Sequence, residues 1–341
     1  MKGWKNVLFV ALSALFVWLF ARRVDLAGIA AVWRAIPWTL PPLFMLCVVA
    51  QYGLRAQRWG VLLRPFRRGI PFRSLWNFSL IGFMISYLLP GRLGEVARPV
   101  LLAEKEDIPK SQALATVVNE RLFDLLTVLL MLAAYLAFAG GAPSPLLRRL
   151  RLAALLLLPL VGAVFALIAL ANSPRFSART AGIVDRLCRL LPARWRGAAA
   201  GFALNFIRAL RLDLVRRDLA AVAGYSLLHW GLIAFSYWLL LRGFAVAVSP
   251  VHAVPLLAVI FVAAAVPTPG MAGSLDLAST YALVGLYAMG EKPAMAFTLL
   301  FHFLVLVVPI TLGLIALWQE GLSLGVVRRL RRPKDELPAV R

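Results

Sequence analysis

Nine apolar segments recur from one end of this chain to the other, near residues 6–21, 39–57, 75–90, 111–139, 152–171, 219–241, 253–268, 274–289 and 294–318. A bilayer crossing takes roughly 20 residues of helix. Several of these segments reach that length, whereas 75–90, 253–268 and 274–289 are short and end at Pro or Gly. The chain is 62% hydrophobic with a mean hydropathy of +0.83. A water-soluble fold of 341 residues could not cover so much apolar surface. The expected class is therefore an all-α multi-pass membrane protein, one membrane domain over residues 1–341. No polar stretch is long enough for a large cytosolic catalytic module.

Charge sets the expected topology. The net charge of +22 comes almost wholly from Arg in the connections between apolar segments. Anionic lipid headgroups and orientation signals account for it, and nucleic acid is not an expected partner. Residues 55–73 hold six Arg and no acid, and residues 173–218 hold ten Arg against Asp185, Asp213 and Asp218. The tail over 319–341 carries Arg328, Arg329, Arg331, Arg332 and Lys334. All three read as cytoplasmic, as does the N-terminus with Lys2 and Lys5, which puts both termini inside the bacterial cytoplasmic membrane. The run after Lys5 is followed by Arg22 and Arg23 and not by a small-x-small site, so it reads as an uncleaved first span. Arg148, Arg149 and Arg151 oppose this scheme, because parity places them outside.

Parity also shapes the short segments. Residues 75–105 must leave on the side they entered, as a re-entrant hairpin with its tip near Pro90 and Gly91. Residues 253–289 must do the same from the other side, with a tip at "PTPGMAG". Pro90-Gly91-Arg92-Leu93-Gly94 and Pro269-Gly270-Met271-Ala272-Gly273 match as P-G-x-x-G. Each is followed by an apolar stretch, a short turn with Pro109 or Pro293, and a long helix. Two repeats follow, 1–139 and 150–318, each with three crossings and one hairpin. Three is odd, so the second is inverted, an arrangement typical of transport folds. Residues 173–217 place Ile183, Leu187 and Leu190, then Phe202, Phe206 and Leu210, at helical spacing between Arg residues, as amphipathic helices on the cytoplasmic surface would, although a charged loop that only sets topology fits equally well.

Polar residues inside such a fold mark candidate chemistry. Arg92, Glu95 and Arg98 are spaced three apart and share a face if a helix starts after Gly91, although Pro99 disfavours helix at Arg98. Arg forks hold phosphate bidentately, and Glu95 can order an Arg or accept from an amine or hydroxyl. "VVNERLFDLL" sets Asn119, Glu120, Arg121 and Asp124 on a long apolar helix. Two acids for one Arg leave a charge unbalanced, so a cation from elsewhere is expected, with Arg92 or Arg98 the natural choice. The second tip offers Pro267, Pro269, Gly270, Gly273 and Asp276 but no cation, and His302 lies on the last span. Gly91, Gly94, Gly270 and Gly273 would let backbone N–H groups approach a ligand. No metal site, phosphate loop, nucleophile elbow or dinucleotide fingerprint is present, and no cofactor is expected. Cys47 and Cys188 read as incidental thiols.

"LPGRLGEVARPVLL", "VVNERLFDLLTVLL" and "PTPGMAGSLD" together resemble the lysylphosphatidylglycerol synthase transmembrane family, the flippase-like domain proteins, over nearly the whole chain. The G-x-x-G-E-x-x-R core carries most of the resemblance. The second tip departs from the family pattern: Met271 stands for a Gly and Asp276 for a Glu. Two-part relatives join this region to an aminoacyl transferase that these 341 residues lack, so the resemblance implies the lipid-translocating half. It implies transport of a polar or isoprenoid-linked lipid, and the charges themselves suggest an anionic phospholipid or isoprenoid-phosphate headgroup held by Arg92, Glu95, Arg98, Glu120, Arg121, Asp124 and Asp276. An intramembrane headgroup-modifying enzyme with Glu95 or Glu120 as base is the alternative. A non-transporting partner of an envelope lipid synthase is a third.

Overall fold

The computed structural model describes residues 31–88, 92–139, 145–171, 215–266, 268, 271 and 273–322, with scattered positions between 186 and 204. The first expected span, the tip residues Pro90, Gly91, Pro267, Pro269 and Gly270, most of the basic loop 173–217, and the tail from 323 lie outside the described residues. The described residues contain helices and no strand. These are α1 (Leu40–Leu63), α2 (Phe72–Leu88), α3 (Gly94–Lys105), α4 (Lys110–Phe138) and α5 (Pro145–Ala171). After the basic loop come α6 (Arg216–Gly243), a 3₁₀ turn at Pro250–Ala253, α7 (Val254–Ala265), α8 (Ser274–Tyr287) and α9 (Glu291–Gln319).

Among the described helices, α4, α6 and α9 are long and apolar enough to cross a membrane. With 17, 12, 12 and 14 residues, α2, α3, α7 and α8 fall short of a crossing. The outward face of α5 shows why this is a membrane protein. Leu152, Leu155, Leu156 and Leu160 form an exposed stripe at helical spacing, and Phe138 and Trp318 are almost fully exposed. A surface like this is stable against lipid and not against water.

Pro shapes the helix starts. Pro41 and Pro42 sit in the first turn of α1, where the missing N–H groups cost nothing. Pro99 does not end α3, contrary to the bias read from sequence. It falls in the second turn, where it costs one bond to the Glu95 carbonyl. The neighbouring Arg98 is fixed by a carboxylate and an aromatic face, described below.

The helices interlock. α1 packs along α6, α2 lies between α3 and α9, and α7 packs on α8 and also reaches α4. Phe301 of α9 meets Phe44 of α1 at 6.1 Å and Tyr237 of α6 at 5.1 Å, both edge to face. Three glycines permit close approaches between α2 and its neighbours. A Cβ on Gly94 would stand 1.7 Å from the Gly82 carbonyl oxygen, and one on Gly82 would stand 2.6 Å from the Arg98 Cβ. A Cβ on Gly313 would stand 2.5 Å from the Met84 Cβ. Gly94 is thus where α2 and α3 touch backbone to backbone, a packing role that the sequence reading did not give it.

Two described positions of the P-G-x-x-G stretches match in backbone conformation. Arg92 and Met271, at the same place in each, both adopt left-handed backbone (φ 52° and 58°). Asp107 and Ala288, which lead into the long helices, do so too (φ 53° and 52°). Those helices, α4 and α9, are 29 residues each.

At one end of the helices, Glu320 accepts from Asn77 Nδ2 of α2 (2.8 Å) and Lys105 Nζ of α3 (2.6 Å). Burial alone would raise its carboxyl, but these hydrogen bonds outweigh burial and hold it below the ordinary glutamate range.

Candidate functional site

α4 carries two carboxylates that are fully buried, Glu120 and Asp124. Isolated, each would be very costly, so the surrounding helices must supply cations. Glu120 Oε1 accepts from Arg55 Nε of α1 (2.8 Å) and Arg58 Nη2 of α1 (3.0 Å), and its Oε2 from Arg98 of α3. Asp124 Oδ1 lies 2.7 Å from Arg58 Nη2 and accepts from Trp230 Nε1 of α6 at 3.0 Å. Its Oδ2 takes Arg121 Nη1 at 3.3 Å, with Arg55 Nη2 3.8 Å away. The expected external cation is therefore present in triplicate: Arg98, as read from sequence, together with Arg55 and Arg58.

Aromatic faces cover the guanidinium planes. Arg98 lies over Trp59 (4.4 Å to the ring centroid) and Arg55 over Phe83 (4.4 Å). Trp59 is fixed in turn by donating to Thr116 Oγ1 of α4 (2.9 Å), and Arg58 donates to Ser226 Oγ of α6 (2.9 Å). Four helices are thereby tied to one pair of carboxylates.

A second layer stands at the hairpin tip. Glu95 Oε1 accepts from Arg92 Nη1 (3.0 Å) and Arg121 Nη2 (2.9 Å). Arg92 also donates to the Ala264 carbonyl at the end of α7, joining the segment before α3 to α7. The two layers place five guanidinium groups against three carboxylates, an excess of two positive charges. Among the described residues, Arg55 Nη2 and Arg121 Nε are buried with no hydrogen-bond partner.

Arg55 and the second layer line a cavity of about 430 Å³. With these four charged residues, Phe44, Ile233, Leu257, Ile260, Phe301 and Val305 also line it. Both halves of the chain contribute to the wall. Such a cavity is amphipathic by construction: it offers cations to an anion and an apolar wall to what is attached to it.

The sequence-selected residues divide into two groups. Arg92, Glu95, Arg98, Glu120, Arg121 and Asp124 converge, and Asn119 is buried beside them on α4. Asp276 and His302 do not join them. Asp276 Oδ2 accepts from the Gly273 backbone N–H (2.8 Å), capping α8, and Oδ1 accepts from His302 Nδ1 (2.6 Å). Arg55 and Arg58 were read as the start of a cytoplasmic loop. The structure corrects this: α1 runs on to Leu63 and Arg58 is fully buried. The available signal was the R-x-x-R spacing directly after "FMLCVVAQYGL", which puts both on one helical face. His229 and Trp230, given little or no weight from sequence, both line the cavity.

The sequence profile of the lysylphosphatidylglycerol synthase transmembrane region matches residues 6–313. A UPF0104 membrane protein of Methanocaldococcus jannaschii is 35% identical over 83 residues, 24% of this chain. The match spans 36% of that relative's length.

Proposed function

The chain belongs to the lysylphosphatidylglycerol synthase transmembrane-region family, and from that premise we propose that it translocates a lipid with an anionic phosphate-bearing headgroup between membrane leaflets. The observation that carries this reading is the amphipathic cavity with two excess positive charges beside it. A lipid is the ligand whose two ends match those two surfaces. Arg55, Arg92 and Arg121 line the cavity and take the phosphate. Glu120 and Asp124 hold Arg55, Arg58 and Arg98 in place from behind. The acyl or isoprenoid tail leaves along the apolar wall.

The short helix pairs α2–α3 and α7–α8 act as re-entrant hairpins of two inverted repeats, the first opening to the cytoplasm and the second to the outside. Their lengths, matched left-handed tip residues and partners in the opposite half support this arrangement. The headgroup passes between the two tips while its tail stays in lipid, and the protein works in the bacterial cytoplasmic membrane with both termini inside. The test is reconstitution in liposomes with fluorescent phosphatidylglycerol, following leaflet exchange and lipid composition together. Exchange of unchanged lipid that falls at least tenfold in Arg55→Gln supports the reading. A new lipid species, or no exchange with any anionic lipid, overturns it.

A further inference from the structure

The second tip holds a pair that the phosphate site does not use. Asp276 of α8 and His302 of α9 are 26 residues apart, and Nδ1 and Oδ1 meet at 2.6 Å. In the first half, Glu95 of α3 and Arg121 of α4 are also 26 residues apart and meet at 2.9 Å. Counted from the first residue of each long helix, Lys110 and Glu291, Arg121 and His302 fall at the same position. Each half thus joins a carboxylate near the start of the hairpin's second arm to a basic side chain one helix later. The bases differ in one property. Arg121 is charged at every working pH, whereas an imidazole gains or loses its proton near neutrality.

We propose that the Asp276–His302 pair is a proton-binding site, and that its proton is taken up together with the anionic headgroup. The side chains are 7% and 12% exposed, so the pair is shielded but not sealed. With neutral His302 donating through Nδ1–H, the pair carries one negative charge in a largely dry place, which is costly. A proton arriving at Nε2 makes an imidazolium–carboxylate pair of zero net charge. The backbone N–H of Gly273 holds the other Asp276 oxygen, so the carboxylate stays in place through both states.

The neighbours tie this site to the cavity. Thr268, Met271, Leu275 and Phe301 line the cavity wall, and Leu275 and Phe301 adjoin Asp276 and His302 in sequence. A negative pair behind that wall repels an anionic headgroup, and protonation removes the repulsion. Proton and anion therefore favour each other's binding, by the same factor in each direction. The other titratable or charged groups on α8 and α9 are Tyr281, Tyr287, Glu291 and Lys292. Of the helices packed on these two, α7 carries none, α2 carries Arg73 and Tyr87, and α6 brings Tyr237 against Phe301. α1 brings Cys47, Tyr52, Arg55 and Arg58, and α5 brings Arg148, Arg149 and Arg151. Arg55 and Arg58 are bound to Glu120, and Arg149 reaches toward Tyr281.

Proton binding does not depend on the translocation reading, but its consequence for lipid movement does. The chain has three His, so ¹⁵N-histidine labelling of the full protein in nanodiscs gives few enough signals to assign with His302→Gln. The expected result is a His302 signal that titrates between about pH 5 and 8 and moves to a lower midpoint in Asp276→Asn. A His302 signal constant over that range, or one indifferent to Asp276→Asn, overturns the proposal. In liposomes with fluorescent phosphatidylglycerol, a gradient of one pH unit should change the exchange rate several-fold, and His302→Gln should abolish that response. Exchange that ignores the gradient overturns the coupling and leaves translocation standing. A titrating His302 without any exchange overturns translocation and leaves the proton site standing.

Discussion

Replacing Glu120 by Gln removes one charge and leaves the shape almost unchanged, which isolates the electrostatics of the buried layer. In the native protein three guanidinium groups bond to this one carboxylate: Arg55 at 2.8 Å, Arg58 at 3.0 Å, and Arg98. Arg58 and Arg98 are 0% and 2% exposed, so neither can turn to water. After the substitution Arg58 keeps Asp124, but Arg98 loses its only carboxylate bonded in the described structure. The Gln amide also turns two N–H donors toward side chains that are themselves donors only. Breaking one partner out of a buried ion network costs about 3–5 kcal/mol. Unfolding of purified protein in mixed micelles, followed by circular dichroism, should register a loss of that size. The half-buried Glu95 pairs with two more exposed arginines, and Glu95→Gln should lose about 1 kcal/mol or less. The double variant Glu120→Gln/Arg98→Gln should be more stable than the sum of the single losses, because the stranded cation is gone. A loss below about 1 kcal/mol for Glu120→Gln would refute the reasoning, since it would mean that the arginines reach water.

The remaining predictions concern packing, acid response and binding. Gly94→Ala forces a Cβ into the Gly82 carbonyl and should cost at least about 3 kcal/mol, the upper range for overpacking. Gly162→Ala, with open space around it, should be neutral or slightly stabilising in the same unfolding assay. Glu320 has a depressed carboxyl, so its contribution is complete above its unfolded value of about 4.3 and is lost as pH falls through the lower folded value. Lys105 is 44% exposed, which keeps that contribution to about 0.5–1 kcal/mol, and Glu320→Gln should show a shallower loss of stability in acid. Arg121→Gln should weaken binding of fluorescent phosphatidylglycerol to the detergent-solubilised protein about tenfold or more, and Thr127→Ala, whose hydroxyl donates to the Phe123 carbonyl of its own helix, should not.

The sequence by itself determined the solvent, the helical class and most of the charged site. The solvent follows because so many apolar residues can be stable only in lipid. Helices follow because backbone groups in lipid must be satisfied within their own segment. Arg98, Glu120 and Asp124 were legible because a charge on an apolar helix needs a reason, and two acids beside one Arg require a further cation. What the sequence could not decide is which cation arrives. Arg55 and Arg58 lie next to a genuine run of basic residues, and their chemistry is identical to that of Arg64 or Arg67. Only the packing of α1 between α4 and α6 buries Arg58 and sets Arg55 against Glu120, while Arg64 stays half exposed beside Asp218. From sequence, Gly94 is a tip glycine that lets backbone approach a ligand, and only the crossing of α2 and α3 makes it a backbone contact between helices. The division of Asp276 and His302 from the arginine cluster was also decided in three dimensions. Spacing along a chain fixes which residues share a helix face, and the distance between faces is set by how the helices pack.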